Sequence, residues 1–270
     1  MVGNLSQLVT LVSHGNLFLT GKSKLENFYP GNSAFIYCNS VVFVDDKKFL
    51  RTTETEIAEN PTQWLSWLKN NHCRKLALGY APSNNPEFPD HMSVAFVGGG
   101  GRWMMFSIFS KLADYWLERW QVTNIDAPDR RIWKVTYGRV ARNKPAPALP
   151  DDSLSSFKAE LESVLKQIEV FAREHDLDHF AKCFRDGLDA LESTDPLNLG
   201  WQKDLLPSEG LSLQATQLMG AACIAWVFGG MGSWNDLGFD HNEEGDYQRL
   251  SKQLYSIINR SVEHSVNSFA

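Results

Sequence analysis

The chain has 270 residues, 43% of them hydrophobic and 21% charged, a balance that excludes a disordered protein and supplies apolar surface for a sizeable core. A formal net charge of −6 and a sequence pI near 5.7 argue against a nucleic-acid-binding protein, and no apolar run reaches the length of a membrane span. The longest candidate, "LMGAACIAWVFGGMG", is short and broken by glycine, so it reads as a buried helix.

In chain order, Leu5, Leu8, Val9 and Val12 recur at helical spacing and predict an amphipathic first helix. This stretch has no early basic residue and no small-residue cleavage pattern, so no secretory peptide is expected. Strands are expected at "SAFIYCNSVVFVDD", "KLALGYA" and "RRIWKVTYGRV", which are rich in Val, Ile, Phe and Tyr and bounded by Gly, Asn, Asp or Pro. "MSVAFVGGGGRWMMFSIF" suits two strands joined by a Gly98–Gly101 hairpin loop, with Arg102 and Trp103 opening the return strand. Four consecutive glycines exceed what a turn requires, which points to a close backbone approach or to a loop that moulds onto a partner. Helices are expected at Pro61–Asn70 and around Lys111–Trp120.

Three prolines in "ARNKPAPALPDD" disfavour helix and mark a short extended linker. Beyond it the period becomes helical. Leu154, Phe157, Leu161, Leu165, Ile168 and Phe171 form one stripe, a shorter helix follows in "DHFAKCFRDGLDALES", and "SLQATQLMGAACIAWVF" is apolar almost all round and therefore central. The last helix carries Leu250, Leu254, Ile257, Ile258 and Val262 on one side. The fold expected is α+β, with a mainly antiparallel sheet and helices in residues 1–143, a linker at 144–152 and an acidic helical bundle in 153–270.

Charge divides along the same line. Residues 1–150 hold 17 Lys and Arg against 12 Asp and Glu, whereas residues 151–270 hold 9 against 20. Such an asymmetry assigns the two regions different partners or facing surfaces, and it is also what a solvated acidic helical surface produces. Cys38, Cys73, Cys183 and Cys223 are far apart and form no CxxC pair, so buried free thiols and a reducing cytoplasm are expected.

The stretch "FGGMGSWNDLGFDH" holds most of the residues that could carry chemistry. A helix precedes its glycines, no Lys follows and acids surround it, which disfavours phosphate binding. Gly229 or Gly230 suits a left-handed helix end, and Gly232 a tight turn. "WVFGGMGSWNDL" resembles a motif of uncharacterised bacterial domains found near toxin–immunity and contact-dependent competition loci. The resemblance covers roughly the last sixty residues. It implies a bacterial cytoplasmic protein with a toxin-neutralising role and assigns no catalytic residue.

His175 and His179 have the i, i+4 spacing of a helical metal pair but lack an intervening Glu. Asp236, Asp240, His241, Glu243, Glu244 and Asp246 supply oxygen ligands without the spacing of a calcium loop, and acids are expected at a helix start from its dipole alone. Arg130, Arg131, Lys134, Arg139, Arg142 and Lys144 form a basic stretch, but strand alternation splits it between two faces. No cofactor and no metal are therefore expected. The reading is a cytoplasmic protein-binding factor of the immunity or antitoxin kind, which occludes a basic partner. Its contacts are Trp234, Asp236, Asp240, His241, Glu243 and Glu244, with Arg102 and Trp103 at the second glycine tract. The rival reading is a metal-assisted hydrolase using the acids after Trp234, and a third is a nucleic-acid factor using the basic strand near residue 130.

Overall fold

A computed structural model of the chain describes residues 3–46, 54–83, 85–96, 98–149, 153–199 and 203–269. Helix α1 spans Gly3–Leu19, strands β1 and β2 span Cys38–Asp45 and Thr55–Ala58, and α2 spans Pro61–Asn70. Strand β3 (Lys75–Ala81), a single-turn helix α3 (Asp90–Ser93), and strands β4 (Arg102–Ile108), β5 (Leu112–Val122) and β6 (Trp133–Pro145) follow. Helices α4 (Leu154–Glu174), α5 (Asp178–Glu192), α6 (Leu213–Ile224) and α7 (His241–Asn267) complete the α+β fold.

The strands form one six-stranded sheet in the order β2-β1-β6-β5-β4-β3. Among the described residues only β1 and β6 pair in parallel; every other neighbouring pair is antiparallel. One face is an aromatic layer. Phe43 stacks on Trp64 of α2 at 4.3 Å and on Tyr137 at 5.1 Å, and Trp116 meets Trp64 edge-on at 5.5 Å. Within this layer the buried Arg139 donates to Asp114 at 2.9 Å and reaches Asp45 at 3.1 Å, its guanidinium 5.4 Å from the Trp67 ring.

Three sequence expectations for this half are corrected. The segment around Lys111–Trp120 is strand β5 and not a helix. Its aromatic residues pair across strands, Tyr115 with Phe106 at 4.8 Å and Trp120 with Trp133 at 5.8 Å, and such cross-strand contacts outweigh helix propensity. The run before the glycines is no strand of a hairpin, because Asp90–Ser93 is helical and β4 pairs instead with β3 and β5. The first strand begins only at Cys38, since Asn32 caps a 3-10 turn at Ser33–Phe35.

Helix α1 is buried around most of its circumference, including Ser6, Gln7, Thr10, Ser13 and Asn16, and so is not an ordinary amphipathic surface helix. Its polar groups meet partners across the core. Tyr137 Oη donates to Gln7 Oε1 at 2.8 Å, and Thr10 Oγ1 donates to the Leu205 carbonyl at 3.3 Å. Residues of α1, the sheet and α4–α7 belong to a single cluster of buried side chains.

Helices α4–α7 pack as a bundle, with the α4 stripe of Phe157, Leu161, Leu165 and Ile168 buried as its spacing requires. Glu169 is buried within the bundle and accepts from Arg173 at 2.8 Å and bidentately from Arg185. Burial opposes its charge, but the two guanidiniums outweigh it and hold the carboxyl below the ordinary carboxylate range. Helix α6 stops at Ile224, four residues short of the expected end, with Ala225 closing it at φ −78°. The linker prolines begin inside β6, which runs to Pro145; residues 150–152 lie outside the described residues.

Candidate functional site

The sheet opens where β4 meets β5. The β4–β5 ladder runs from Ile108↔Ala113 to Met105↔Trp116 and ends there. Beyond that point Arg102–Met104 remain paired to β3, and Leu117–Val122 remain paired to β6. Two strands that lie side by side at one end therefore part at the other. The fork holds a cavity of about 730 Å³, within the ~300–1,000 Å³ typical of small-molecule sites.

Gly98–Gly101 form one wall of this cavity. They are held by backbone approach and by hydroxyls. A Cβ on Gly99 would lie 1.8 Å from the Ser93 carbonyl oxygen, so only glycine fits. Gly100 N donates to Ser93 Oγ at 2.9 Å, and the Gly100 carbonyl accepts from Tyr80 Oη at 3.0 Å and from Tyr255 Oη of α7 at 2.7 Å. The close-approach account of four glycines is thus the one observed. Arg102 is exposed at the mouth, whereas Trp103 is buried with its ring 5.0 Å from Tyr80.

The opposite wall is the end of β5. Burial raises the Glu118 carboxyl above the ordinary carboxylate range; hydrogen bonds from its own backbone and Asn4, and the Arg102 charge, oppose that rise. Glu118 Oε2 and Trp120 Nε1 are buried without a hydrogen-bond partner among the described residues. Arg119 also lines the cavity, where it pairs with Glu54 at 2.6 Å and lies 3.8 Å from Asp46. Glu118 and Trp120 were absent from the sequence-derived contacts because their segment read as a helix; the alternation Trp116-x-Glu118-x-Trp120 is the signal that a strand reading would have used.

The C-terminal residues lie elsewhere, at one end of the bundle. Trp234 is fully buried, donates from Nε1 to Ser251 Oγ at 2.7 Å, and packs edge-on against Phe180 and Phe184 at 5.2 Å each. It meets the bundle interior and not a surface. The loop before it is closed by its own side chains: Asn235 exchanges two hydrogen bonds with Gly229, and Asp236 Oδ2 accepts from Gly232 N. The left-handed residue is Gly232, at φ +83°, and not Gly229 or Gly230.

Asp240 occupies the N-cap of α7, and its carbonyl accepts from Glu243 N and Glu244 N. His241 begins the helix; its side chain lies outside the described part of the structure. Glu244 Oε2 accepts from Phe239 N at 3.2 Å and Oε1 accepts from Gln248 Nε2 at 2.7 Å, so this acid belongs to the helix start. Glu243 is exposed and lies 3.8 Å from His175 Nδ1.

That contact brings the α4–α5 turn against the start of α7, and with it Glu174, Asp176 and Asp178, all exposed. None of these three acids pairs with Lys or Arg among the described residues. His175 and His179 do not form a helical pair, because His175 closes α4 and His179 lies in the next helix. Among the described residues no group of three or more His, Cys, Asp or Glu is placed to hold a metal ion. The basic stretch is divided as well: Arg139 is buried, while Lys134, Arg142 and Lys144 are exposed. The four cysteines are free thiols, and burial pushes Cys73 up to about 12 and Cys223 up to about 11. Among the described residues no helix is long and apolar enough to cross a membrane. No protein-family model, no curated protein and no solved structure matches this chain.

Proposed function

We propose that the protein is a protein-binding factor of the immunity or antitoxin kind, which docks a basic partner on the acidic end of its helical bundle and occludes it. The observation that carries this reading is the position of Glu174 and Asp176. Asp178, Glu243 and Glu244 occupy first turns of α5 and α7, where the helix dipole favours negative charge. Glu174 and Asp176 lie instead at the C-terminal end of α4, where the dipole opposes it, and they have no cation partner among the described residues. These positions do not benefit the helix, and attraction of a cationic surface is the role this reading gives them. The −11 net charge of residues 151–270 favours a basic partner, and the free thiols fit a reducing compartment.

The test is capture of the partner from the native host, followed by association rates at low and high salt. Glu174→Lys with Asp176→Lys should slow association ~10-fold or more at low salt and much less at high salt, where the Debye length shortens. Rates that ignore both salt and the reversal would remove this reading.

A further inference from the structure

The fork between β4 and β5 is separate from the acidic end, and the partner-docking reading makes no use of it. Its cavity lies in the plane of the sheet. A cavity on one face of a strand touches alternate residues, because successive side chains point to opposite faces. This one is lined by consecutive residues, Leu117 to Trp120 on β5 and Gly98 to Trp103 on the way into β4. It therefore runs along two facing strand edges.

The ladders show which backbone groups those edges present. Phe109 N donates to the Leu112 carbonyl at 2.9 Å, so odd-numbered residues of β4 turn their backbone groups toward β5. Thr123 N donates to the Ile132 carbonyl at 2.8 Å. On β5 beyond Trp116, odd-numbered residues thus face β6 and even-numbered ones face β4. After Met105↔Trp116 the next hydrogen-bonded pair would be Trp103 with Glu118, and it is not formed. The backbone groups of Trp103, Glu118 and Trp120 are directed into the fork. The Glu118 N–H is met by its own carboxylate, as an edge without a neighbouring strand allows.

The fold holds these edges apart. The Gly100 carbonyl is tied to the Tyr80 and Tyr255 hydroxyls, and Gly99 is pressed against the Ser93 carbonyl, which keeps the chain entering β4 away from β5. Open strand edges are a template for another strand, and main-chain hydrogen bonds give such docking its affinity. The two faces of the gap differ. On one, Trp103 stands opposite Tyr80 in register, and Trp226 packs against Tyr255 at 5.9 Å. On the other lie Arg102 and Arg119. Arg119 is paired with Glu54, whereas Arg102 is exposed and forms no salt bridge among the described residues.

We propose that the fork is a docking site for an extended peptide segment of a partner protein, which enters between β4 and β5 as an added strand. Its backbone pairs with Glu118 and Trp120 on β5 and, where the fork narrows, with Trp103. Its alternate side chains divide between the faces, apolar ones toward Trp103 and Trp226 and an acidic one toward Arg102.

The experiment is a titration of the full-length 15N-labelled protein with the pentapeptide Val-Glu-Val-Glu-Val, acetylated and amidated, read by backbone amide resonances and by hydrogen–deuterium exchange. The amides of Trp103, Glu118 and Trp120 should shift saturably, and exchange at Trp120 should slow ~10-fold or more at saturation. At least one of the two versions N-methylated at alternate residues should bind ~10-fold more weakly, because a paired strand loses its donors. The counterpart Val-Lys-Val-Lys-Val should bind at the fork at least ~3-fold more weakly, and Arg102→Glu should reverse that preference. Arg102 is exposed, and an unchanged Trp234 indole resonance reports that the variant is folded. The proposal is overturned if neither peptide shifts the fork amides saturably, if the shifts centre on another surface, or if both N-methylated versions bind as tightly as the parent peptide. Equal binding of the Glu and Lys peptides, unmoved by Arg102→Glu, would overturn the acidic class. Glu174→Lys with Asp176→Lys should leave peptide binding at the fork unchanged, so the two proposals stand or fall separately.

Discussion

The side-chain amide of Asn267 and the peptide unit of Leu78 exchange two hydrogen bonds, Leu78 N to Oδ1 and Nδ2 to the Leu78 carbonyl, both at 2.8 Å. Asn16 of α1 does the same for Leu76, at 2.7 and 2.9 Å, and Glu263 Oε1 accepts from Tyr80 N at 3.3 Å. Strand β3 is the last in its sheet, and its unpaired edge is met by side chains from the first and last helices. An open edge invites pairing with another chain; here helices α1 and α7 close it.

The first prediction follows directly. Asn267→Ala leaves a buried N–H and a buried C=O without partners, at about 1–3 kcal/mol each, so unfolding free energy should fall by about 2–6 kcal/mol. Urea denaturation with an unchanged m-value would measure it. A loss below about 0.5 kcal/mol would mean that the amide is replaceable by water at that edge.

Arg139 is the second test. It is buried between Asp114 and Asp45 and against the rings of Trp67 and Trp116. Arg139→Met keeps much of the volume but strands Asp114, so it should cost about 3–5 kcal/mol. Combining it with Asp114→Asn should recover part of the loss, a coupling that a double-mutant cycle detects. Additive losses would show that the pair is not what holds β5 and β6 together at this point.

Glu118 gives a pH-dependent expectation. Its carboxyl is raised in the folded state, chiefly by burial, so the folded chain holds this proton more tightly than the unfolded chain. Its contribution is fully present below the unfolded pKa and is lost as pH rises through the folded one. Glu118→Gln is neutral throughout, so the variant should be more stable than the parent at pH 8, with the difference vanishing near pH 4. A variant less stable than the parent at pH 8 would mean that the ionised carboxylate is well satisfied.

The fold was most legible where one local signal decided the structure. Pro61–Asn70 and Lys75–Ala81 were read from pattern and punctuation to the residue, because a proline at the helix start and β-favouring residues agree with the packing. The misses were non-local. β5 is a strand because Tyr115 and Trp120 find aromatic partners on β4 and β6, which no window around them contains. Trp234 stood among the partner contacts, whereas its ring is enclosed by α5 and α7. The fork itself is a relation between two ladders and has no signature in either strand alone.

Gly232 tests the account of the C-terminal glycine loop. Its φ of +83° is a conformation that a Cβ disfavours, and no neighbouring atom lies within 4 Å of where that Cβ would be. Gly232→Val should therefore lower the melting temperature through backbone strain of about 1–2 kcal/mol, with no contribution from crowding. Gly232→Asn should cost less, because Asn tolerates the left-handed region. Equal losses for Val and Asn would point to a contact and not to the backbone.

Glu243 and Glu244 are adjacent, but they separate stability from docking. Glu244 accepts from Phe239 N and Gln248, so Glu244→Lys removes a cap of α7 and places a cation at the positive end of a helix dipole. It should cost about 1–2 kcal/mol of stability, by the usual value of a cap with an added dipole penalty. Glu243 is exposed and touches only the His175 ring at 3.8 Å among the described residues, so Glu243→Lys should change stability by less than about 0.5 kcal/mol. On the docking proposal its effect is on the encounter with a basic partner, whose association should slow at low salt and recover as salt screens the surface. Thermal melts of both variants, set beside association rates for Glu243→Lys, decide the matter. If Glu243→Lys melts early, the exposed acid is structural, and if it melts normally but binds at the parent rate, the acidic end is not the docking surface.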